Sequence, residues 1–157
     1  MAKKKAPKKS GTKPPPICKA ILLCDAVLND PFTGKGSIIG VFERFVVPTF
    51  PGMTAPFFVY VQITNGIGKY HISVDLRDVE QDRDIAKADV ADVEFKERAA
   101  KIVLIIPVPP LPLPKAGEYD FIVLADGQEI DRQQFIAIPR PENPHAGDTP
   151  ETPEDNE

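Results

Sequence analysis

Three side chains that could form a hydrolytic triad lie at alternate positions of one short segment. His71, Ser73 and Asp75 supply a base, a nucleophile and an acid, the groups with which serine hydrolases attack a carbonyl carbon. Alternate residues of a strand point to the same side, so the three share a face. The serine, however, stands where a triad needs its base, and no Gly-x-Ser-x-Gly turn is present. A solvent-facing polar stripe explains the pattern fully, and we expect no enzymatic activity.

A second candidate is an acidic turn, in which carboxylates recur at every second position. The residues are Asp78, Glu80, Asp82 and Asp84. Such spacing is typical of calcium loops, but Arg83 stands where those loops need glycine. We favour a solvated turn, and cation binding there is left open. The sequence also lacks a Cys/His cluster, a phosphate-binding glycine loop and a dinucleotide fingerprint, so we expect neither a metal nor a cofactor.

The third candidate is a basic segment at the start of the chain. Its lysines, the candidate nucleic-acid contacts, are Lys3, Lys4, Lys5, Lys8, Lys9 and Lys13. Lysine clusters contact phosphates, but no aromatic residue interleaves with these to stack on bases. The whole chain has a net charge of −4, so nucleic-acid binding would depend on this segment. We favour a solubilising tail, with nucleic-acid association as the alternative.

A proline-rich run at residues 107–114 is the last candidate. It reads Pro-Val-Pro-Pro-Leu-Pro-Leu-Pro, which predicts an extended polyproline conformation. Such runs dock into aromatic grooves when they are free. This one stands between two predicted strands, so we favour a rigid segment that protects a sheet edge from strand addition.

Strands must position all of these residues. Asp126-Gly127 between two β-rich flanks predicts a hairpin over residues 117–138, because both residues tolerate the positive φ angles of a two-residue type I′ turn. Alternation over residues 70–76 predicts a strand with Tyr70 facing inward and His71 facing outward. Further strands are predicted at residues 17–28, 37–47, 57–64, 85–95 and 100–106. About eight antiparallel strands indicate an all-β, two-sheet sandwich.

The domain organisation follows from composition. Residues 1–16 are rich in lysine and proline, and residues 139–157 are acidic and rich in proline, so we expect two disordered tails around a β-sandwich at residues 17–138. Cys18 and Cys24 lie too far apart along one strand for a disulfide and are predicted to be free. No apolar run is long enough for a membrane helix, and we expect a cytoplasmic protein.

Several segments together resemble a bacterial family of small proteins classed only as a domain of unknown function. The matching segments are residues 21–26, 38–42, Phe50-Pro51, residues 117–121 and Asp126-Gly127. The resemblance implies an immunoglobulin-like β-sandwich and brings no catalytic residue with it. Together with the missing catalytic motifs, it favours a non-enzymatic interaction or scaffold module. Its expected partner is a protein that meets a sheet face or edge, and homodimerisation through an edge strand is a further possibility.

Overall fold

The computed structural model describes residues 13–142, which form twelve β-strands and no helix. No helix in this part of the chain is therefore long and apolar enough to cross a membrane. In chain order the strands are β1 (Ile17–Cys24), β2 (Ala26–Asn29), β3 (Gly36–Ile39), β4 (Arg44–Val47), β5 (Gly52–Met53), β6 (Phe57–Thr64), β7 (Gly68–Asp78), β8 (Arg83–Phe95), β9 (Lys101–Val108), β10 (Pro112–Leu113), β11 (Gly117–Ala125) and β12 (Gln128–Pro139).

Two sheets form the body of the domain. One has three strands in the order β1-β6-β9, and the other has five in the order β4-β12-β11-β7-β8. All neighbours are antiparallel except β4, which runs parallel to β12. Two small ladders, β2-β3 and β5-β10, complete the structure. The predicted all-β sandwich is confirmed.

The inner faces of the two sheets share one hydrophobic core. On β6 and β7 the buried side chains alternate with partly exposed ones, so each strand turns one apolar face inward. Phenylalanines from both sheets meet in this core: the Phe45 ring packs edge to face against Phe57 and Phe135, with centroids 4.9 and 5.0 Å apart. Such contacts add to the free energy gained from burying the rings.

The Asp126-Gly127 hairpin is confirmed in detail. Ala125 pairs with Gln128, and the two turn residues have φ angles of 49° and 78°, as a type I′ turn requires. At the start of the same hairpin, the hydroxyl of Tyr119 donates to the backbone oxygen of Lys115 at 2.6 Å. A buried tyrosine bonded to the backbone a few residues upstream is the tyrosine corner of immunoglobulin-like sandwiches.

The structure has more strands than the sequence predicts because two predicted strands are interrupted. The strand at residues 17–28 breaks at Asp25, whose backbone nitrogen donates to the oxygen of Ile39 at 3.0 Å. The strand at residues 37–47 breaks at Gly40, where φ is 67°. The short strands β5 and β10 account for the remaining difference. The strand predicted at residues 85–95 is present as β8.

The ends of the described chain lie against the domain. The Tyr70 hydroxyl donates to the oxygen of Pro14 at 2.7 Å. At the other end, Pro139 closes β12, and the nitrogen of Arg140 donates to the oxygen of Val47 at 3.1 Å. Folded contacts thus extend into both segments expected as tails. The remainder of those segments, residues 1–12 and 143–157, lies outside the described residues.

Candidate functional site

His71 is held between two carboxylates on the neighbouring strand. Its Nδ1 lies 2.7 Å from Asp92 and its Nε2 lies 2.8 Å from Asp89, both on β8. The hydrogen bonds that the ring donates to Asp89 and Asp92 raise the pKa of the imidazole above its ordinary value of 6.5. Both ring nitrogens are therefore occupied, and neither is directed at the hydroxyl of Ser73.

The other two triad candidates have separate surroundings. Asp75 lies 3.4 Å from the ammonium of Lys87, and no side-chain hydrogen bond of Ser73 occurs within residues 13–142. The three share a strand face as predicted, but the structure does not bring them together as a triad. His71 and Asp75 instead form ion pairs with side chains of β8.

Basic side chains form ion pairs with the carboxylates of the acidic turn. Asp84 contacts both Arg77 and Lys87, at 3.0 and 2.8 Å, and Asp82 contacts Arg77 at 3.2 Å. The hydrogen bonds from Lys87 and Arg77 lower the pKa of the Asp84 carboxyl. Lys115 forms an ion pair with Glu80. Among residues 13–142, no three His, Cys, Asp or Glu side chains are grouped as a metal site would require.

Of the six lysines predicted as nucleic-acid contacts, the structure describes Lys13 alone. Its ammonium lies 3.8 Å from the centroid of the Tyr70 ring and 3.5 Å from Asp126, and it donates to the backbone oxygen of Lys69. This lysine is engaged by the domain itself, through a cation–π contact and a carboxylate. The other five, Lys3, Lys4, Lys5, Lys8 and Lys9, lie outside the described residues.

The proline-rich run is part of the folded domain. Pro107 belongs to β9, and Pro112 and Leu113 pair with β5 as β10. The Leu113 side chain is 0% exposed. The prediction of an extended polyproline segment over residues 107–114 is therefore wrong for its two ends, because strand pairing and burial of its aliphatic side chains fix it against the core.

The cysteines are free, as predicted. Burial, followed by the nearby Asp131 carboxylate, raises the pKa of the Cys18 thiol to about 12. Burial likewise raises the pKa of Cys24. Since the thiolate is the reactive form, neither thiol is activated at neutral pH.

The hairpin of β2 and β3 presents an exposed aromatic ring that the sequence analysis did not single out. Phe32 lies in the connecting loop, and its side chain is 96% exposed. The Asp30 carboxylate accepts hydrogen bonds from the Phe32 nitrogen at 2.9 Å and the Thr33 hydroxyl at 2.6 Å. The Asp30 backbone closes the loop with Gly34 and Lys35. The ring is thus held away from the core on an ordered loop.

The two sheets present outer faces of opposite character. On the five-stranded sheet, ion pairs such as Arg132 with Asp120, at 2.8 Å, connect neighbouring strands. The three-stranded sheet carries only two charged residues, Lys19 and Lys101. Register places Leu22, Tyr60 and Ile105 in one row across its outer face.

A cleft of about 550 Å³ opens between the sheets on the side where β8 and β9 are the edge strands. The two strands are not hydrogen-bonded to each other. On one side of the cleft, β8 contributes Ala86 and Ala88. On the other, β9 contributes Leu104 and Ile106. Because Ala86 and Ala88 are small, they leave open a space between the sheets that larger side chains would fill. The alternation of alanines with charged residues in β8 was the sequence signal for this cleft.

The fold, the tyrosine corner and the paired sheets define an immunoglobulin-like β-sandwich. Residues 19–138 match the model of a family described as "Family of unknown function (DUF6941)", and the chain belongs to that family. The resemblance stated from the sequence is thereby confirmed. The comparison with curated proteins gives no match.

The solved structures that match this chain include an immunoglobulin-like protein and a DNA glycosylase, both at low sequence identity. An immunoglobulin-like protein from Pseudomonas aeruginosa is 10% identical, with a TM-score of 0.39, over 82% of this chain and 100% of its own. The alkylpurine DNA glycosylase AlkC of Pseudomonas fluorescens, bound to DNA containing an abasic site analog, is 6% identical with a TM-score of 0.43. That match covers 74% of this chain and 30% of the glycosylase chain.

Proposed function

We propose that this protein is a non-enzymatic, cytoplasmic interaction module that binds another protein through its β2-β3 hairpin. The observation that carries the proposal is the exposure of Phe32 on a loop held by hydrogen bonds. Aromatic side chains that enter a partner's pocket supply much of the binding free energy of protein interfaces. A loop that is already ordered loses little conformational entropy on binding.

The hairpin surroundings support a protein partner. Leu28 and Ile39 lie on the same face of the β2-β3 ladder and are 57% and 48% exposed. With Phe32 they give the hairpin three large exposed apolar side chains in a short length of chain. The outer face of the three-stranded sheet carries few charges. A partner that also covered this face would therefore remove few charged groups from water.

The absence of an assembled catalytic group supports the non-enzymatic part of the proposal. Within the described residues, the imidazole of His71 is occupied by carboxylates and the acidic turn by basic side chains. The free thiols of Cys18 and Cys24 suit a reducing compartment, where disulfides are rare. Nucleic-acid association through the lysine-rich segment stays the alternative prediction.

Replacement of Phe32 by alanine tests the proposal. Because the ring makes little contact with the rest of the domain, Phe32→Ala should leave the melting temperature unchanged. If the ring anchors the partner, immobilised full-length protein with this substitution should no longer retain it. Met53→Ala, which removes a side chain that is 54% exposed in β5, is the matched control and should retain the partner.

Two outcomes would contradict the proposal. Retention of the same proteins by the wild type and by Phe32→Ala would show that the hairpin is not the anchor. Retention that is lost on nuclease treatment and on deletion of residues 1–12 would instead support the nucleic-acid alternative. The deletion ends at residue 12 because Lys13 and Pro14 pack against Tyr70.

A further inference from the structure

The cleft between β8 and β9 exposes two strand edges with different degrees of protection. The β8 ladder with β7 shifts register twice, between Ile72 and Ser73 and between Leu76 and Arg77. Bulges of this kind, together with the charged Lys87 and Asp89, hinder pairing with a further strand. β8 is therefore a protected edge.

The β9 edge lacks these protections over most of its length. Its ladder with β6 runs without a register shift from Lys101 to Val108. Lys101 is its sole charged residue, and Pro107, which has no N–H, stands near its end. Within residues 13–142, no backbone hydrogen bond joins β9 to any strand other than β6. Alternate N–H and C=O groups of residues 101–106 are thus left for a new strand.

The interior of the cleft determines which side chains such a strand needs. Leu104 and Ile106 from β9 face Ala86 and Ala88 from β8, so the side chains that enter must be apolar. The lining also includes Asp75, Lys87 and Asp89. Their side chains alternate with the inward-facing ones and form ion pairs on the outer face of the sheet, so the interior of the cleft is apolar.

The segments of this chain outside the structure do not have that composition. Residues 1–12 contain lysines, one proline and small residues, with Met1 as the one large apolar side chain. Residues 143–157 contain no valine, leucine, isoleucine, methionine, phenylalanine, tyrosine or tryptophan. Neither can place alternating large apolar side chains in the cleft, which favours an occupant from another molecule.

We propose that the cleft binds an extended peptide of a partner protein, which adds to β9 as an outer strand. Its backbone pairs with residues 101–106, and its alternate apolar side chains enter the space above Ala86 and Ala88. Backbone pairing supplies affinity, and the cleft selects side chains at every second position. This site is separate from the Phe32 hairpin.

Selection from a library of short random peptides displayed on phage tests the proposal on the full-length protein. We expect enriched peptides with aliphatic or aromatic residues at alternate positions. Ala88→Phe places a ring in the cleft, and because Ala88 is exposed the domain has room for it. This variant should raise the Kd of an enriched peptide by about tenfold or more, whereas Ala99→Phe, in the turn before β9, should not.

Hydrogen exchange provides a second measurement that does not depend on a variant. The bound peptide should slow exchange of backbone amides within residues 101–106, and Phe32→Ala should leave both its Kd and this protection unchanged. The proposal is overturned if no peptide is enriched, if Ala88→Phe and wild type bind equally, or if protection appears on another strand. It is also overturned if the purified protein carries a small apolar molecule that Ala88→Phe excludes and that peptides do not displace.

Discussion

Charged side chains on the outer face of the five-stranded sheet connect its strands in pairs. His71 is the one member of this set whose charge changes near neutral pH, and its partners Asp89 and Asp92 both lie on β8. The ion pairs of His71 are exposed to solvent, so each is weak in the presence of salt. Their role is to fix the edge strand β8 against β7 while keeping that face well hydrated.

The raised pKa of His71 predicts a pH-dependent contribution to stability. The folded state binds the proton more tightly than the unfolded state, so this stabilisation is complete below the ordinary pKa of 6.5 and is lost as pH rises through the higher folded pKa. His71→Gln should therefore lower the free energy of unfolding at about pH 5 and have little effect at about pH 9.

Urea unfolding of wild type and variant at both pH values measures this effect. Ser73→Ala is the control, because it removes a polar group from the same strand face that does not titrate in this range. A difference between wild type and His71→Gln that is equal at both pH values would contradict the ion-pair assignment.

Within the β11-β12 hairpin, the tyrosine corner fixes where β11 begins. Tyr119 is fully buried and stacks on Phe135 with centroids 5.5 Å apart. Its hydroxyl donates a hydrogen bond to the backbone oxygen of Lys115. The bond ties the chain that leaves the proline-rich run to the first residues of β11. Burial raises the pKa of the phenol, which keeps the hydroxyl protonated as a donor.

Tyr119→Phe should lower the free energy of unfolding by about 0.5–1.5 kcal/mol, because it removes the hydrogen bond to the partly buried backbone oxygen of Lys115 while the ring stays in place. Tyr60→Phe, on the outer face of the three-stranded sheet, should change stability by less than about 0.5 kcal/mol. Equal losses in denaturant unfolding would show that the corner bond contributes nothing specific.

For the molecule as a whole, the core extends beyond the two large sheets into the proline-rich run. Leu113 is fully buried among core residues although it lies in a strand of two residues. The nitrogen of Leu111 donates to the hydroxyl of Thr54 at 3.0 Å, and the nitrogen of Thr54 donates to the oxygen of Leu111 at 3.0 Å. These contacts extend the β5-β10 ladder by one residue pair.

Leu113→Ala should therefore destabilise the domain by about 2–5 kcal/mol, the range for a leucine that leaves a cavity in a packed core. Leu28→Ala, at an exposed position of β2, is the control and should change stability by about 0.5 kcal/mol or less. A thermal or urea transition of Leu113→Ala that matches the wild type would mean that the proline-rich run is detached in solution.

Strand identity could be read from the sequence wherever one local signal decided it. The alternation over β7 and the Asp126-Gly127 turn each determine side-chain direction and register over a few residues, and both predictions are confirmed. The breaks at Asp25 and Gly40 could not be read in this way. Each depends on the pairing of β2 with β3, which is formed by residues about ten positions apart.

The class of fold, the free cysteines and the lack of a recognisable catalytic motif could be predicted from the sequence, because they depend on composition and on short-range pattern. The environment of each candidate group depends instead on the tertiary structure. The tertiary structure places Asp89 and Asp92 beside His71, buries Leu113 and exposes Phe32. It also leaves the outer edges of β8 and β9 without a further strand, on either side of a cleft. These features arise from contacts between distant parts of the chain, whose free energies are set by burial and register rather than by local preference.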